Sequence, residues 1–314
     1  MEQPTTLVEA IKQFSDESRA HEYLTSMRWP DGKVTCPHCE GVQATFMPKY
    51  RRWVCLNQAC KKQFSAKSGT IFEKSQVSLG NWLTAIWLIS SAKNGISSCE
   101  LARSLGVTQK TAWFMEHRIR EAMKRGSFAK MEGTVEVDET VIGQKSKTMH
   151  ADKRQEMRER GFPKTIVLGM RERGGDVRTM VVADTTADTL QGEIVKNVEA
   201  GSRVYTDTWK GYNGMSAAYQ HATVNHKAGQ YVDGDVTTNG MEGYWNLLKR
   251  GYRGTYVIMS PQHTHRYLAE EDFRYNTRQE EDGDRFAQVV ASVAGKRLTY
   301  RELTESHLVN LDRG

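Results

Sequence analysis

Three acidic residues in the rear half of the chain have the types and spacing that phosphoryl transfer requires. Asp138 ends an alternating run that begins at Val135, Asp207 ends a second strand-like run, and Glu242 lies in a segment of helical character. Carboxylates are hard oxygen ligands, and two divalent cations held by them can clamp the attacking and leaving oxygens of an in-line displacement at phosphorus. We therefore expect a catalytic site that binds two Mg²⁺ or Mn²⁺ ions.

Neighbouring residues complete this candidate site or compete with it. Lys249 follows Glu242 by about two helical turns, so it shares that helix face and can hold a DNA phosphate near the metals. By strand alternation Glu136 shares a face with Asp138 and is a fallback ligand, whereas Glu139 points away. Aspartates also cap strand ends, so each single acidic residue has a structural role as its alternative.

Four of the five cysteines form two pairs, which is typical of a zinc site. The pairs are Cys36-Pro-His-Cys39 and Cys55 with Cys60. Zinc prefers four thiolate or imidazole ligands in a tetrahedron, and two short knuckles joined by a hairpin supply them. Disulfides are the alternative, but they are rare in cytosolic proteins. The second knuckle is longer than usual. His38 could replace a cysteine as a ligand, but it is expected to cap or decorate the first knuckle.

The segments around the cysteines predict a zinc ribbon followed by helices. Gln43–Met47 and Tyr50–Val54 are predicted to be two short strands around a turn at Pro48 and Lys49. Leu79–Ser91 has apolar residues at helical spacing, which indicates a core helix. Cys99, alone in a later helical pattern, is expected to be a buried apolar residue.

The run from Ser97 to Arg120 has the layout of a helix-turn-helix. Ala102 is small enough for two helices to cross closely, Gly106 lies at the turn, and Thr108 can cap the second helix. The same pattern also occurs in plain helical bundles. Core-facing positions of the second helix are Ala112, Met115, Ile119 and Met123, which leaves Gln109, Lys110 and Thr111 to meet DNA bases or phosphates.

The rear segments predict an α/β domain. Ile166–Arg171 and Arg178–Ala183 form a hairpin, Asp188–Val198 a helix, Ser202–Asp207 a strand and Thr237–Arg250 a later helix. This element order is that of an RNase H-like domain, a mixed sheet with flanking helices. The predicted divisions are the N-terminal segment and zinc ribbon at 1–75, the helix-turn-helix region at 76–130, the RNase H-like domain at 131–282 and a helical tail at 283–314.

Charge is distributed unevenly along the 314 residues, whose net charge is +6. Residues 1–132 hold 19 Lys and Arg against 12 Asp and Glu, so the basic excess lies in the front. A localised basic surface suits nucleic acid, because Lys and Arg release condensed counterions from phosphates. The longest apolar stretch is too short to span a membrane and no secretory signal is visible, so we expect a cytoplasmic, nucleoid-associated bacterial protein.

These motifs resemble the ISXO-type bacterial insertion-sequence transposases. The resemblance runs from about residue 20 to about residue 280. Its zinc-ribbon part is carried by Cys36–Cys39, Cys55–Ser65 and Ser68–Phe72, and its catalytic part by Val137–Thr140, Tyr205–Asp207, Thr238–Arg250 and Phe273–Arg278. The family is one of DDE recombinases, so the resemblance implies that Asp138, Asp207 and Glu242 are metal ligands with Lys249 beside them. Some relatives carry Asn or His as the third ligand, which makes Asn239 a neighbouring candidate.

The sequence therefore predicts a DDE transposase that binds the terminal inverted repeats of its element and joins the ends to target DNA. Two ends must be paired, so we expect a homo-oligomer. A nuclease or resolvase of the same fold, which cuts without joining, is one alternative. A DNA-binding regulator derived from a transposase is another, although such a protein should have lost an acidic residue.

Overall fold

The chain folds into two compact units. The computed structural model describes residues 3–124, 129–143, 152, 155, 164–225 and 228–305. One unit comprises Met1–Lys124 with Gln279–Glu305, and the other comprises Arg125–Arg278 with Ser306–Gly314. The first holds the predicted zinc ribbon, the helix-turn-helix region and most of the predicted tail, of which residues 306–314 lie outside the described part. None of the described helices is long and apolar enough to cross a membrane.

Helices of the first unit begin where the sequence offers capping residues. Thr6, Asp16 and Ser78 each precede a helix and accept a hydrogen bond from a backbone N–H of its first turn. The predicted core helix is confirmed over Leu79–Ser91. The helices, numbered along the whole chain, are α1 (Leu7–Phe14), α2 (Glu17–Arg28), α3 (Leu79–Ser91), α4 (Ser98–Leu105), α5 (Gln109–Met123), α9 (Asp282–Ala291) and α10 (Tyr300–Thr304).

The distant segment 279–305 contributes to the core of this unit. The Phe286 ring in α9 packs against the rings of Phe14, Tyr23 and Trp87, with centroids 5.3–5.8 Å apart. All four aromatic side chains are buried. The first unit therefore depends on two separate parts of the chain.

The predicted helix-turn-helix is present as α4 and α5. Gly106 ends α4 in a left-handed conformation with φ of 65°, which glycine adopts without strain. Thr108 caps α5 by accepting a hydrogen bond from the Thr111 N–H. The residues predicted to face the core are buried, namely Ala112, Met115, Ile119 and Met123, and so is Ala102, which was predicted to allow the close crossing.

The zinc ribbon is a three-stranded antiparallel sheet of β1 (Ala44–Met47), β2 (Arg52–Cys55) and β3 (Gln63–Phe64). Its turn is longer than predicted, because Pro48–Tyr50 forms a short 3₁₀ helix and Arg51 is left-handed with φ of 48°. The second strand consequently begins at Arg52 rather than at Tyr50. Pro48 favours the 3₁₀ helix, because its ring fixes φ near the helical value.

The second unit is built on one five-stranded sheet with the strand order β6-β5-β4-β7-β8. Neighbouring strands are antiparallel from β4 through β6 and parallel from β4 through β8. The predicted hairpin is confirmed as β5 and β6. The strands are β4 (Thr134–Ile142), β5 (Thr165–Glu172), β6 (Val177–Val182), β7 (Arg203–Asp207) and β8 (Gln220–Val224).

Helices cover both faces of this sheet. They are α6 (Ala187–Asn197), α7 (Asn239–Gly251) and α8 (Thr264–Asn276). On one face Val135 and Val137 pack with Leu190 and Ile194 of α6. On the other, the apolar side of α7 packs with β5 and α8. A mixed sheet with flanking helices is the predicted RNase H-like architecture, which is confirmed.

One predicted boundary is wrong. The first strand of this sheet was expected to end at Asp138, but β4 continues to Ile142. The antiparallel partner β5 extends beside it, so that Asp138 pairs with Gly169 and Ile142 with Thr165. Acidic residues are uncommon in strands. Here the pairing with β5 and the burial of Ile142 outweigh that tendency. Asp138 therefore projects from the middle of a strand.

Gly169 is needed for the close approach of α7 to the sheet. A Cβ at Gly169 would lie 2.3 Å from the Met241 side chain and 2.6 Å from that of Trp245. Gly169→Ala is therefore expected to destabilise the protein by about 1–3 kcal/mol through overpacking. Urea unfolding of the full chain measures this loss.

A second glycine provides the control. A Cβ at Gly192, within α6, would meet nothing within 4 Å. Gly192→Ala should therefore be neutral or stabilise the helix by up to about 1 kcal/mol. Equal effects of the two substitutions would show that contact with α7 is not what requires glycine at 169.

Candidate metal centre and active site

The four paired cysteines meet at one point of the zinc ribbon. The Sγ atoms of Cys36, Cys39, Cys55 and Cys60 all lie within 4.8 Å of one another. Cys36 and Cys60 are 3.9 Å apart and Cys39 and Cys55 are 3.5 Å apart, so neither pair is a disulfide. A zinc ion with four sulfur ligands at about 2.3 Å places those sulfurs about 3.8 Å apart. The quartet fits a tetrahedral zinc ion.

Local backbone geometry forms the two knuckles. Glu40 has φ of 59°, and its N–H donates to the Cys36 carbonyl oxygen at 2.8 Å. Lys61 has φ of 46°, and its N–H donates to the Asn57 oxygen at 3.0 Å. The longer second knuckle thus closes with the same kind of left-handed turn as the first. Its extra residues are absorbed without displacing Cys60 from the quartet.

The cysteines of the quartet differ in their surroundings, and so do their pKa values. Burial raises the pKa of the Cys55 thiol to about 12, whereas a hydrogen bond from the Lys62 backbone lowers the pKa of Cys60. Four thiolates this close repel one another unless a cation is bound. A divalent ion would therefore bind with release of the thiol protons.

Two expectations for residues near these motifs have different outcomes. His38 is exposed and does not belong to the cysteine quartet, as predicted. The prediction for Cys99 is wrong, because its side chain is exposed. Cys99 lies in the first turn of α4, and that helix buries Leu101 and Ala102 instead.

The start of α5 presents the residues predicted to meet DNA. Gln109 and Lys110 are exposed and Thr111 is half-buried. Gln109 donates to the Ser98 hydroxyl at 2.8 Å, and the Lys110 ammonium lies 4.9 Å from the centre of the Tyr300 ring. These contacts hold the side chains at the N-terminal end of the helix while leaving them accessible to a ligand.

Asp138 and Asp207 lie on neighbouring parallel strands. The β4–β7 pairing runs to Glu136 opposite Tyr205, and each aspartate follows two residues further along its strand. Asp207 is the last residue of β7, and its Oδ1 accepts the Trp209 N–H at 2.8 Å. The Asp138 carboxylate accepts a hydrogen bond from the Trp245 indole N–H of α7. The two carboxylates therefore lie on adjacent strands just beyond the point where the β4–β7 pairing ends.

The environment of Asp138 favours the protonated acid. Its pKa is raised to about 7, chiefly by burial and then by the charges of Glu139 and Asp207. A hydrogen bond from Trp245 Nε1 to Asp138 Oδ2 at 2.9 Å acts in the opposite direction. Burial also raises the pKa of Glu139, and Asp207 adds to that effect. A divalent cation bound here would offset the repulsion among the carboxylates of Asp138, Glu139 and Asp207.

Strand alternation correctly separates Glu139 from Asp138. Glu139 accepts a hydrogen bond from the Tyr212 hydroxyl at 2.5 Å, whereas Asp138 contacts Trp245 of α7. Their different partners agree with the prediction that Glu139 points away. Its charge nevertheless remains close enough to affect Asp138.

Glu242 and Lys249 lie on the helix that covers this edge. Glu242 is in the first turn of α7 and is half-buried, as is Lys249. Trp245, which contacts Asp138, follows Glu242 by one helical turn, so these positions share one side of α7. In the part of the chain that the structure describes, the cysteines are the one group of three or more His, Cys, Asp or Glu ligands within 4.8 Å. The three carboxylates do not come that close.

Known proteins are similar to both parts of the chain. The ISXO2-like transposase domain matches residues 130–276, and the transposase zinc-ribbon domain matches residues 15–63. A transposase-like protein of Haemophilus influenzae is 30% identical over 101 residues, which is 32% of this chain and 80% of that protein. The chain belongs to the ISXO2-like transposase family.

Two further similarities extend over more of this ISXO2-like transposase. A protein in the transposable element ISH50 of Halobacterium salinarum is 28% identical over 256 residues, covering 76% of this chain and 84% of that protein. A chain in the crystal structure of a pre-cleavage Mos1 transpososome is similar over 66% of this chain and 76% of its own length, with 12% identity and a TM-score of 0.23.

The fallback assignment of Glu136 as a metal ligand is wrong for this transposase. Its carboxylate is 2% exposed and pairs with Arg173 at 3.0 Å and with Arg171 at 3.3 Å. Its second oxygen accepts the Met241 N–H at 3.0 Å, at the N-terminal end of α7. Positive ends of helices favour such a charge. Glu136 therefore anchors α7 on the sheet.

Replacement of Glu136 tests this structural role. Glu136→Ala is expected to destabilise the protein by about 3 kcal/mol, near the lower end for broken buried pairs, because Arg171 and Arg173 keep some contact with water. Urea unfolding should show this loss. Glu132→Ala, which removes an exposed carboxylate two strand positions before β4, is the control and should change stability little. Unchanged stability in Glu136→Ala would contradict the anchoring role.

Sequence reasoning missed the contacts of Trp245 and Tyr212. Both residues are buried, and each places a polar donor on a carboxylate at the edge of β4. The signal available was weak: Trp245 lies three residues beyond Glu242 on the same helix face. A buried tryptophan N–H usually has a hydrogen-bond acceptor, so a tryptophan on the same helix face as Glu242 indicates that a carboxylate of the site could accept from it.

Proposed function

We propose that this ISXO2-like transposase is a metal-dependent DDE enzyme that cuts DNA at the ends of its element and joins the freed 3′-hydroxyl to target DNA. The observation that supports it most is the pair of aspartates at one edge of neighbouring parallel strands. Repulsion from Asp207 and Glu139 acts on Asp138 in addition to its burial. That arrangement is unfavourable for a purely structural role and favourable for a cation site.

The donors present suit Mg²⁺ or Mn²⁺. Asp138, Asp207 and Glu242 offer only carboxylate oxygens, which these hard ions prefer, while the thiolates of the zinc ribbon are far better suited to zinc. Glu242 would complete the site from α7 through a movement of that helix end or of its side chain. When bound, two cations would activate the nucleophile and stabilise the leaving oxygen.

Each residue of the chain has a distinct role in this proposal. Asp138, Asp207 and Glu242 would hold the cations, the two aspartates from β4 and β7 and Glu242 from the first turn of α7. Trp245 fixes the Asp138 carboxylate through its indole N–H. Lys249 stays near the site, two turns along α7, and contacts a DNA phosphate. Asn239 is the rival third ligand, because it begins the same helix and is exposed.

DNA binding is assigned to the first unit, with Gln109, Lys110 and Thr111 reading the inverted repeats. Lys110→Ala should weaken binding of an end duplex and reduce the slope of log affinity against log salt by about one, the effect of losing one phosphate contact. Fluorescence anisotropy of the full chain at several salt concentrations measures both. Lys12→Ala, an exposed lysine of α1, is the control and should leave the slope unchanged. An unchanged slope in Lys110→Ala would remove it from the interface.

Transposition needs two paired ends, so the active form is proposed to be an oligomer of this chain. The first test of enzymatic function uses a labelled duplex that carries an element end. With Mg²⁺ the full chain should nick it at one position and leave a 3′-hydroxyl, and with EDTA it should not. Binding without any nick would indicate the regulator instead.

A further inference from the structure

A cavity of about 600 Å³ lies in the first unit between α2 and the zinc-ribbon hairpin. Its apolar walls are Trp29, Trp53 and Phe46. The Trp29 and Trp53 rings are 5.3 Å apart, and the Phe46 ring lies 4.8 Å from Trp53. Both tryptophans are buried, yet Phe46 is 46% exposed at the mouth. The volume is within the range of small-molecule sites, about 300–1,000 Å³.

Polar groups line the opposite wall and the rim. Ser18, Glu22 and Thr25 lie on the side of α2 that faces the cavity. Arg51, in its left-handed conformation, extends from the hairpin and donates to the Ser18 hydroxyl at 2.7 Å. The cavity therefore combines flat aromatic surfaces with hydrogen-bond donors and acceptors.

The charge of the surrounding segment favours a ligand that belongs to a polyanion such as DNA. Residues 28–52, which include most of the residues that line the cavity, hold five Lys and Arg against two Asp and Glu, and of these five Arg51 lines the cavity itself. The Arg28 guanidinium lies 4.6 Å from the centre of the Trp29 ring. Basic residues interleaved with aromatic rings are the pattern by which proteins bind unpaired nucleotides.

We propose that this cavity binds one nucleobase extruded from DNA, stacked on the exposed ring of Phe46 while a flanking phosphate contacts Arg51. The proposal rests on the DNA-processing function proposed above. A duplex is too wide to enter such a cavity, whereas a single base presents a flat ring to stack and polar edges for Glu22 and the hydroxyls. An unpaired base is also the form that needs least energy to extrude.

The test compares two duplexes that carry an element end and differ at one position. One has a single-nucleotide bulge, and the other has an abasic residue in the same bulge. The full chain should bind the duplex with the base more tightly. Phe46→Ala should remove that preference, lowering affinity for the base-containing duplex by about 5- to 100-fold, the effect of losing one base–aromatic stack. Phe46→Trp should retain it.

Tyr50→Ala is the matched control, because Tyr50 is an aromatic residue of the same hairpin that is 62% exposed and does not line the cavity. Its preference should equal that of the unmodified chain. Zinc content near one per chain verifies that each variant retains the ribbon. Equal affinity of the unmodified chain for both bulges, or a preference that survives in Phe46→Ala, would overturn the proposal.

An uninterrupted duplex carrying the same end separates the two levels of inference. If the chain binds that duplex but does not distinguish the bulges, only the base-binding cavity is rejected. If it binds no duplex at low salt, the proposed function itself fails. Binding of an apolar peptide that Phe46→Ala abolishes, with no base preference, would assign the cavity to a protein partner and reject the nucleobase.

Discussion

Glu242→Gln is expected to reduce DNA cleavage and joining by several orders of magnitude while DNA binding survives. The substitution keeps the shape of the side chain and removes the charge that would hold the second cation. Positioning and charge stabilisation carry most of the catalysis in phosphoryl transfer, so a lost ligand has a large effect. Glu242 is half-buried on α7 and outside the helix-turn-helix, which is why affinity for end duplexes should not change.

Two further variants decide whether Glu242 is the correct residue on its helix. Lys249→Ala should reduce activity less, because a phosphate contact is lost and no metal ligand. Asn239→Ala should be nearly as active as the unmodified chain. The three are compared with Mg²⁺ on a paired-end substrate. Near-normal joining by Glu242→Gln together with an inactive Asn239→Ala would transfer the role of third ligand to Asn239.

Loss of zinc is expected to unfold the ribbon. The strands β1, β2 and β3 have four, four and two residues, and they could not hold four crowded thiols together alone. Structural zinc contributes on the order of 10–16 kcal/mol in small modules. Cys36→Ser should therefore abolish the ordered ribbon, and the purified full chain should contain about one zinc. Metal analysis and near-ultraviolet circular dichroism, to which Trp29 and Trp53 contribute, measure both effects.

The remaining cysteine supplies the control for this prediction. Cys99 is exposed in α4 and lies outside the quartet, so Cys99→Ser should leave zinc content and spectrum unchanged. A metal-free preparation with an intact ribbon would contradict the role of zinc.

Local sequence signals sufficed for elements whose boundaries depend on a few residues. The apolar spacing from Leu79 gave the position of α3, and Gly106 with Thr108 gave the turn between α4 and α5. The cysteine pairs likewise predicted their own meeting point, since each knuckle is formed by local turns. In these places the causes lie within one or two turns of chain.

Features that depend on residues far apart in the sequence could not be predicted from local signals. The extension of β4 to Ile142 follows from the length of β5, and the exposure of Cys99 follows from which side of α4 is buried. Glu136 has the alternation of a possible metal ligand, but it is paired with Arg171 on β5 and with Arg173 just beyond the end of that strand. The pairing of Trp245 with Asp138 likewise requires the docking of α7, which Gly169 permits.

The central claim is that carboxylates at the β4–β7 edge drive both cutting and joining of DNA. Its most direct test mixes paired labelled ends with a supercoiled plasmid in Mg²⁺ and compares the unmodified chain with Asp138→Asn. We predict labelled ends covalently joined to the plasmid by the unmodified chain and no joined product from Asp138→Asn, although both bind the ends. Joining by Asp138→Asn, or an unmodified chain that only hydrolyses the ends, would contradict the account.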